Sequence, residues 1–184
     1  MAHEHRRRIT EPAALDALAH PIRLELINFL MASGPATASV CARAVGDTPS
    51  NCSYHLRRLA KVGLVEETVS SDGRERPWRA LVTGFDTPDR TPGGDRLIAM
   101  SVQRDQQLAR DYLAKRDQVD EVWKQADGYA TYTLRMTPAE LTALGEALDA
   151  LIRPYIAATR DGAPADSALV HLGLHAFPTS AERA

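Results

Sequence analysis

Cysteine is scarce in this chain. There are two in 184 residues, Cys41 and Cys52, which is too few for a disulfide-stapled scaffold or a multi-thiolate metal centre. Both sit at apolar positions of adjacent expected helices, where free cysteine usually serves as a small core residue, so no disulfide is expected. Aromatic residues make up only 5% of the chain. Long apolar runs are missing: no stretch approaches the ~18 consecutive apolar residues of a membrane span. The N-terminal MAHEHRRRIT has charge but no apolar segment to act as a secretory signal, which points to a cytoplasmic protein without membrane partners. There is no Gly-rich phosphate loop and no G-x-S-x-G elbow. Cys41, Cys52 and His55 are the only close Cys/His combination. A nucleophile needs an open pocket and an oxyanion donor, whereas Cys52 is expected to face the core. The chain is therefore expected to be no enzyme, and no cofactor is expected.

What is present starts with TPSNCSYHLRRLAKVGLVEE, residues 48–67. Thr48 is a good N-cap, and Pro49 suits the first helical turn, where its missing N–H costs nothing. Cys52, Leu56, Leu59 and Val62 recur at helical spacing on one face, while Ser50, Ser53, Tyr54, Arg57 and Lys61 recur on the opposite one. The first face packs. The second carries short polar residues, then cations, a chemistry suited to base edges and phosphates respectively. Gly63 supplies a helix stop before Leu64 and Val65 begin a strand.

The flanks agree with this reading. Upstream, Leu15, Leu18, Ile22, Leu24, Leu26, Ile27, Phe29 and Leu30 supply the buried faces of two helices that meet at His20-Pro21. Gly34-Pro35 ends the second of them. Residues 37–45, TASVCARAV, form a shorter helix, and Gly46-Asp47 turns into the next, giving a helix-turn-helix. Val65 to Ser70, the Asp72-Gly73 turn and Pro77 to Val82 read as a hairpin with Arg74 and Arg76 at its tip, a wing.

With LDALAHPIRLELINFL, the spacing to SNCSYHLRRLAKVGLVEE and the DGRERPWRALV hairpin in view, the chain resembles winged helix-turn-helix transcriptional regulators of the ArsR type over roughly residues 12–83. His55-Leu56 followed by Leu59 and Gly63-Leu64-Val65 is the specific part. The resemblance implies a DNA-binding repressor. In arsenic-responsive members a Cys-x-Cys pair opens the helix before the recognition helix; here that place reads Thr37-Ala38-Ser39, so the soft ligands are missing. The family's other site lies on the terminal dimer helix and uses carboxylates and histidines. Residues 96–127 hold Asp105, Asp111, Asp117, Asp120 and Glu121 but no histidine, so a metal sensor is disfavoured.

The formal net charge of −2 is awkward for a nucleic-acid partner until it is divided along the chain. Residues 1–83 hold eleven Lys and Arg against nine Asp and Glu, net +2, and residues 84–184 hold eleven against fifteen, net −4. The placement of cations at Arg57, Arg58, Lys61, Arg74 and Arg76 around one expected surface matters more than the total.

GFDTPDRTPGGDR, rich in Gly, Pro and Asp, reads as a linker over 84–95 between residues 1–83 and a second unit, 96–184. Residues 96–127 carry an imperfect helical stripe, interrupted at Asp105 and Arg116, that pairs with its counterpart in a second subunit if the resemblance holds. Tyr129 to Met136 alternates like a strand. Thr137 and Glu140 have the spacing of a capping box for a helix to Ala158, which Pro154 should kink. Val170, Leu172, Leu174 and Ala176 alternate with His171, Gly173, His175 and Phe177, a second strand. Together these would form a small α+β unit, with Trp123, Tyr129, Tyr132, Tyr155 and Phe177 as core or as the lining of a pocket for a small-molecule effector. On a strand, His171 and His175 would stand roughly 13 Å apart, too far to share an ion. The first ten and last six residues read as disordered, with His3, His5 and Arg6 to Arg8 a mobile basic tail.

The fold expected is mainly α with β: a winged helix-turn-helix, a long dimerisation helix and a C-terminal α+β unit. The function expected is a homodimeric, sequence-specific transcriptional regulator on a near-palindromic operator in double-stranded DNA. Ser50, Asn51, Ser53, Tyr54 and Arg57 are the candidates for the groove, Asn51 toward adenine and Arg57 toward guanine or phosphate. Arg58 and Lys61 are assigned to phosphates, and Arg74 and Arg76 to the flanking backbone or minor groove. Two rivals differ in class. A winged-helix interaction adaptor would show its basic face covered by the second unit, and a ligand-binding or catalytic protein without DNA affinity would show a deep polar cleft with converging ionisable groups in residues 96–177.

Overall fold

The computed structural model describes residues 7–69, 75–86, 91–160, 164 and 166–179. Contacts between residues divide the chain into two compact units, the first comprising Met1–Ser101 and Ile156–Ser167, the second Val102–Tyr155 and Ala168–Ala184. The division falls inside a helix and not in the expected 84–95 linker. There, Phe85–Asp86 forms a strand and the helix opens at Pro92, with Gly94 and Leu97 buried. The glycines read as linker serve packing instead: a Cβ at Gly93 would lie 3.2 Å from Leu15 Cβ.

The first unit runs β1 (Arg7–Arg8), α1 (Pro12–Leu18), α2 (Pro21–Ser33), α3 (Ala38–Val45), α4 (Pro49–Ala60), β2 (Val65–Glu67), β3 (Trp78–Ala80), β4 (Phe85–Asp86) and the start of α5 (Pro92–Lys115). Prolines at the first turns of α1, α2 and α4 explain why these helices begin where they do. The core is continuous from Ile9 through Leu18, Leu26, Ile27, Leu30, Cys41, Cys52, Leu56 and Leu59 to Leu64 and Val65. α2, α3 and α4 pack on one another around it. β2 and β3 are antiparallel, with Val65 opposite Ala80 and Glu67 opposite Trp78. Ala36 bridges Trp78 on its other side, so the wing is tied to the chain before α3. The hairpin turn expected at Asp72-Gly73 lies outside the described residues.

The N-terminus departs from the expected mobile tail. Arg7–Arg8 pairs in parallel with Phe85–Asp86, and Ile9 is buried in the core. Burial of that lone apolar residue holds the segment in place. His3, His5 and Arg6 lie outside the described residues.

The second unit departs further. The long helix expected over 96–127, with its stripe interrupted at Asp105 and Arg116, stops at Lys115, passes through a short 3-10 turn at Arg116–Gln118 and resumes as α6 (Glu121–Ala126). Two residues account for the break. Asp120 Oδ1 accepts from Val122 N at 3.1 Å and starts a new helix, and Arg116 turns to Asp127 through Nε at 2.8 Å and Nη2 at 3.2 Å. Arg116 and the Tyr112 hydroxyl hold the Asp127 carboxyl down at about 2. α7 (Pro138–Arg160) opens on the expected capping box: Thr137 N donates to Glu140 Oε2 at 2.7 Å and Glu140 N to Thr137 Oγ1 at 3.2 Å. Pro154 lies inside that helix. Residues 129–136 and 170–176, expected as strands, belong to no strand. The aromatics expected as core or pocket lining are exposed, Tyr129 most of all at 95%. Among the described residues no helix is long and apolar enough to cross a membrane.

Candidate nucleic-acid interface

α3 and α4 are fixed at both ends. Thr37 Oγ1 accepts from Val40 N at 3.3 Å, and Thr48 Oγ1 from Asn51 N at 3.2 Å, so each helix carries the side-chain cap its first turn needs. Gly46 ends α3 at φ 69° with Asp47 N donating to Ala42 O. Gly63, at φ 67°, closes α4 in the same way, with Leu64 N on Leu59 O and Gly63 N on Ala60 O. Both glycines supply a left-handed backbone that other residues rarely adopt.

Capped this way, α4 buries Cys52, His55, Leu56 and Leu59, positions related by i, i+3, i+4 and i+7. Ser50, Tyr54, Arg57 and Arg58 are exposed on its other side, with Lys61 just beyond, while Asn51 and Ser53 are half-buried. The Asn51 amide is engaged, since Nδ2 donates to Asp47 Oδ2 at 2.7 Å. Asp47 also accepts from Thr48 N, and these hydrogen bonds keep its carboxyl below the usual range. Arg57 and Lys61 form no ion pair among the described residues. Between α1 and the end of α4 lies a cleft of about 440 Å³, lined by Ala13, Asp16, Ala17, Arg58, Lys61 and Val62, and its two cations suit a phosphate. On the wing, Arg76 is exposed, with Glu67 at 3.9 Å. Arg79 crosses the hairpin to Glu66 at 2.6 Å. Arg74 lies outside the described residues.

Three features behind this face were not anticipated. Arg7 Nη1 donates to Gly63 O at 3.1 Å and Val62 O at 3.4 Å, placing a cation on carbonyls just past the end of α4. Arg23 donates to Ala17 O and Asp16 O, tying α2 to the end of α1. His55 packs on His20, ring centroids 4.6 Å apart, and meets the edge of Tyr54. Burial pushes both imidazoles below their ordinary range, helped by Arg23 and, for His55, by His20. The wheel positions of α4 carried a signal for His55; nothing local pointed to Arg7, whose acceptors are more than fifty residues away.

Cys41 and Cys52 are both free and buried. Burial pushes the Cys41 thiol up to about 11, and Cys52 rises for the same reason, which leaves neither a nucleophile at neutral pH. Among the described residues no group of His, Cys, Asp and Glu is arranged to hold a metal ion. The expectation that His171 and His175 stand apart needs correction: both converge on one carboxylate, with Nε2 atoms 3.1 Å from Asp105 Oδ1 and Oδ2 respectively.

Residues 18–68 match a family model described as a helix-turn-helix domain. They span α2, α3, α4 and β2. The chain carries a winged helix-turn-helix domain. Folds of this kind are DNA-binding modules of transcription regulators. Several solved structures are similar to the chain. One is the homodimeric winged helix-turn-helix DNA-binding domain of a possible ArsR-family transcriptional regulator from Mycobacterium bovis, 24% identical, covering 54% of this chain and 77% of its own, TM-score 0.34. A MarR family transcriptional regulator from Silicibacter pomeroyi is 19% identical, with 72% of this chain and 70% of its own covered, TM-score 0.31. ZitR from Lactococcus lactis is 13% identical, with coverage of 71% and 73% and a TM-score of 0.32. No curated protein matches the chain.

Proposed function

We propose that this DNA-binding transcriptional regulator acts as a cytoplasmic homodimer and represses from a near-palindromic operator. The observation that carries the reading is the recognition helix itself. Its apolar stripe is fully consumed by the core, and it leaves Ser50, Tyr54, Arg57, Arg58 and Lys61 on one exposed face. Polar groups near the N-terminal end suit base edges, and cations further along suit phosphates. Asn51 reaches adenine only by exchanging its Asp47 hydrogen bond, so Arg57 is the first choice for a base contact. Arg58 and Lys61 take phosphates at the cleft, and Arg76 takes the flanking backbone from the wing. One such helix spans few bases, and a two-fold pair places two of them one helical turn, roughly 34 Å, apart. Repression is the sign implied by the ArsR-type resemblance.

Selection of bound fragments from genomic DNA, followed by gel shifts at several salt concentrations, tests this. Arg57→Ala should weaken the selected site by about 1 to 3 kcal/mol and relax specificity. Lys61→Ala should weaken all sequences alike and lower the salt slope by about one. A selection that returns no common sequence, or an Arg57→Ala protein with unchanged affinity, removes the assignment.

A further inference from the structure

The turn into α4 carries hydrogen bonds that the start of the helix does not need. Thr48 Oγ1 already caps α4 through Asn51 N, and Gly46 already ends α3, yet Asp47 between them adds two bonds from its side chain. Oδ1 accepts from Thr48 N at 2.6 Å and Oδ2 from Asn51 Nδ2 at 2.7 Å, while the Asp47 backbone is itself placed by N donating to Ala42 O at 3.0 Å. An ionised carboxylate only accepts, and these bonds keep the Asp47 carboxyl below its usual range. The Asn51 amide therefore has one orientation, nitrogen toward Asp47 and oxygen away from it. Among the described residues Asn51 Oδ1 accepts no hydrogen bond, and the side-chain atoms that are both buried and unpartnered there are His20 Nδ1 and His55 Nδ1. Asn51 Oδ1 is thus open to solvent.

We propose that Asp47 sets the polarity of Asn51 in the major groove, so that Asn51 reads one base through its oxygen and favours the amino bases, adenine and cytosine, over the keto bases, guanine and thymine. The proposal rests on the DNA-contact reading above and names the base chemistry and the positioning residue for one of its contacts. Asn51 lies in the first turn of α4, the part of such a helix that meets base edges, and seven residues before the exposed Arg58, two turns along the same side. In the major groove adenine N6 and cytosine N4 donate, whereas guanine O6 and thymine O4 accept. A fixed acceptor pairs with the first two and meets the other two acceptor to acceptor, which leaves both groups short of a donor. Exchange of the Asp47 bond is needed only for the paired contact with adenine N6 and N7; a single contact through Oδ1 leaves it in place.

Base preference within the selected site tests it. Duplexes carrying each of the four base pairs at every position of the site are titrated in gel shifts against the full-length wild type, Asn51→Ala, Asp47→Ala and Asp47→Asn. The position that Asn51→Ala flattens is the one Asn51 reads. There the wild type should favour adenine or cytosine on one strand over guanine or thymine by roughly 5- to 150-fold, the cost of one mismatched pair. Asp47→Ala frees the amide to turn and should flatten the same position. In Asp47→Asn the oxygen of the new side chain stays on Thr48 N and its NH2 faces Asn51, whose amide must turn over and present its own NH2, so the preference should invert to guanine or thymine. Loss of the Asp47 charge alone, or a loosened fold, would change affinity for all bases alike and leave their ratios unmoved. A preference for adenine alone at that position, a preference that either Asp47 variant leaves as it was, or an Asn51→Ala protein that flattens no position overturns the proposal and leaves the DNA reading standing. A selection that returns no common sequence overturns both.

Discussion

The His20–His55 contact makes the helix-turn-helix acid-sensitive, and the size of the effect follows from proton counting. The two rings touch inside the unit, and each has its Nδ1 buried without a hydrogen-bond partner. Protonating either Nδ1 would create a buried donor with nothing to accept it, beside a second imidazole and Arg23, with only Asp47 in opposition at His55. Both groups therefore titrate lower in the folded chain than in the unfolded one, where histidine titrates near 6.5. With a depressed folded value, the native state binds fewer protons. Stability is then undiminished above about pH 6.5 and falls as pH drops toward the folded values. In that window each imidazole contributes a slope of at most about 1.4 kcal/mol per pH unit, the limit set by one proton bound in the unfolded chain and none in the folded one. Urea titrations of wild type and His55→Leu between pH 8 and 5 read the effect together with any change in His20, whose ring neighbour is removed. The variant should show a shallower slope below pH 6, by no more than about 1.4 kcal/mol per pH unit. Since His55 lies on the recognition helix, DNA affinity should fall in the same window. Identical slopes in the two proteins would refute the argument.

The helix-turn-helix was legible because each of its signals is local. Thr48-Pro49 caps and starts α4, Gly63 stops it, and the period of Cys52, Leu56 and Leu59 selects the buried face; each acts within a turn or two of where it is read. β1 was not legible, because its pairing partner at Phe85–Asp86 is far along the chain and two arginines before one isoleucine carry no period. The break between α5 and α6 turned on Asp120 acting as a cap instead of a surface carboxylate, a choice that Arg116 and Asp127 settle through space. The C-terminal half failed for a different reason. Alternation in Tyr129 to Met136 and Val170 to Ala176 suits an extended segment, but a strand is defined by its neighbour, and both segments lie exposed with no strand paired to them among the described residues. The convergence of His171 and His175 on Asp105 shows that the backbone separation of two residues does not fix how far apart long side chains end.

Two further substitutions separate roles that the sequence left joined. Replacing Cys41 and Cys52 together by Ala should cost on the order of 1 kcal/mol per sulfur and leave DNA binding intact. In the wild type both thiols should react with a thiol reagent only on unfolding, since burial holds them protonated; rapid labelling of the native protein would contradict this. Arg7→Ala tests whether the N-terminal strand supports the recognition helix. The guanidinium sits on the Gly63 and Val62 carbonyls, groups that the helix end leaves short of donors, and its charge opposes the negative end of the helix dipole. Its ion pair with Glu11, 3.4 Å long and exposed, adds little. The loss should therefore be about 1 kcal/mol in urea unfolding, and Glu11→Gln should leave stability nearly unchanged. Arg7→Lys should recover only part, because the shorter lysine stem does not carry its ammonium to the place where Nη1 donates to both carbonyls while Nη2 reaches Glu11. If Arg7→Ala is as stable as wild type, the segment does behave as a free tail, and the link from β1 to the recognition helix is wrong.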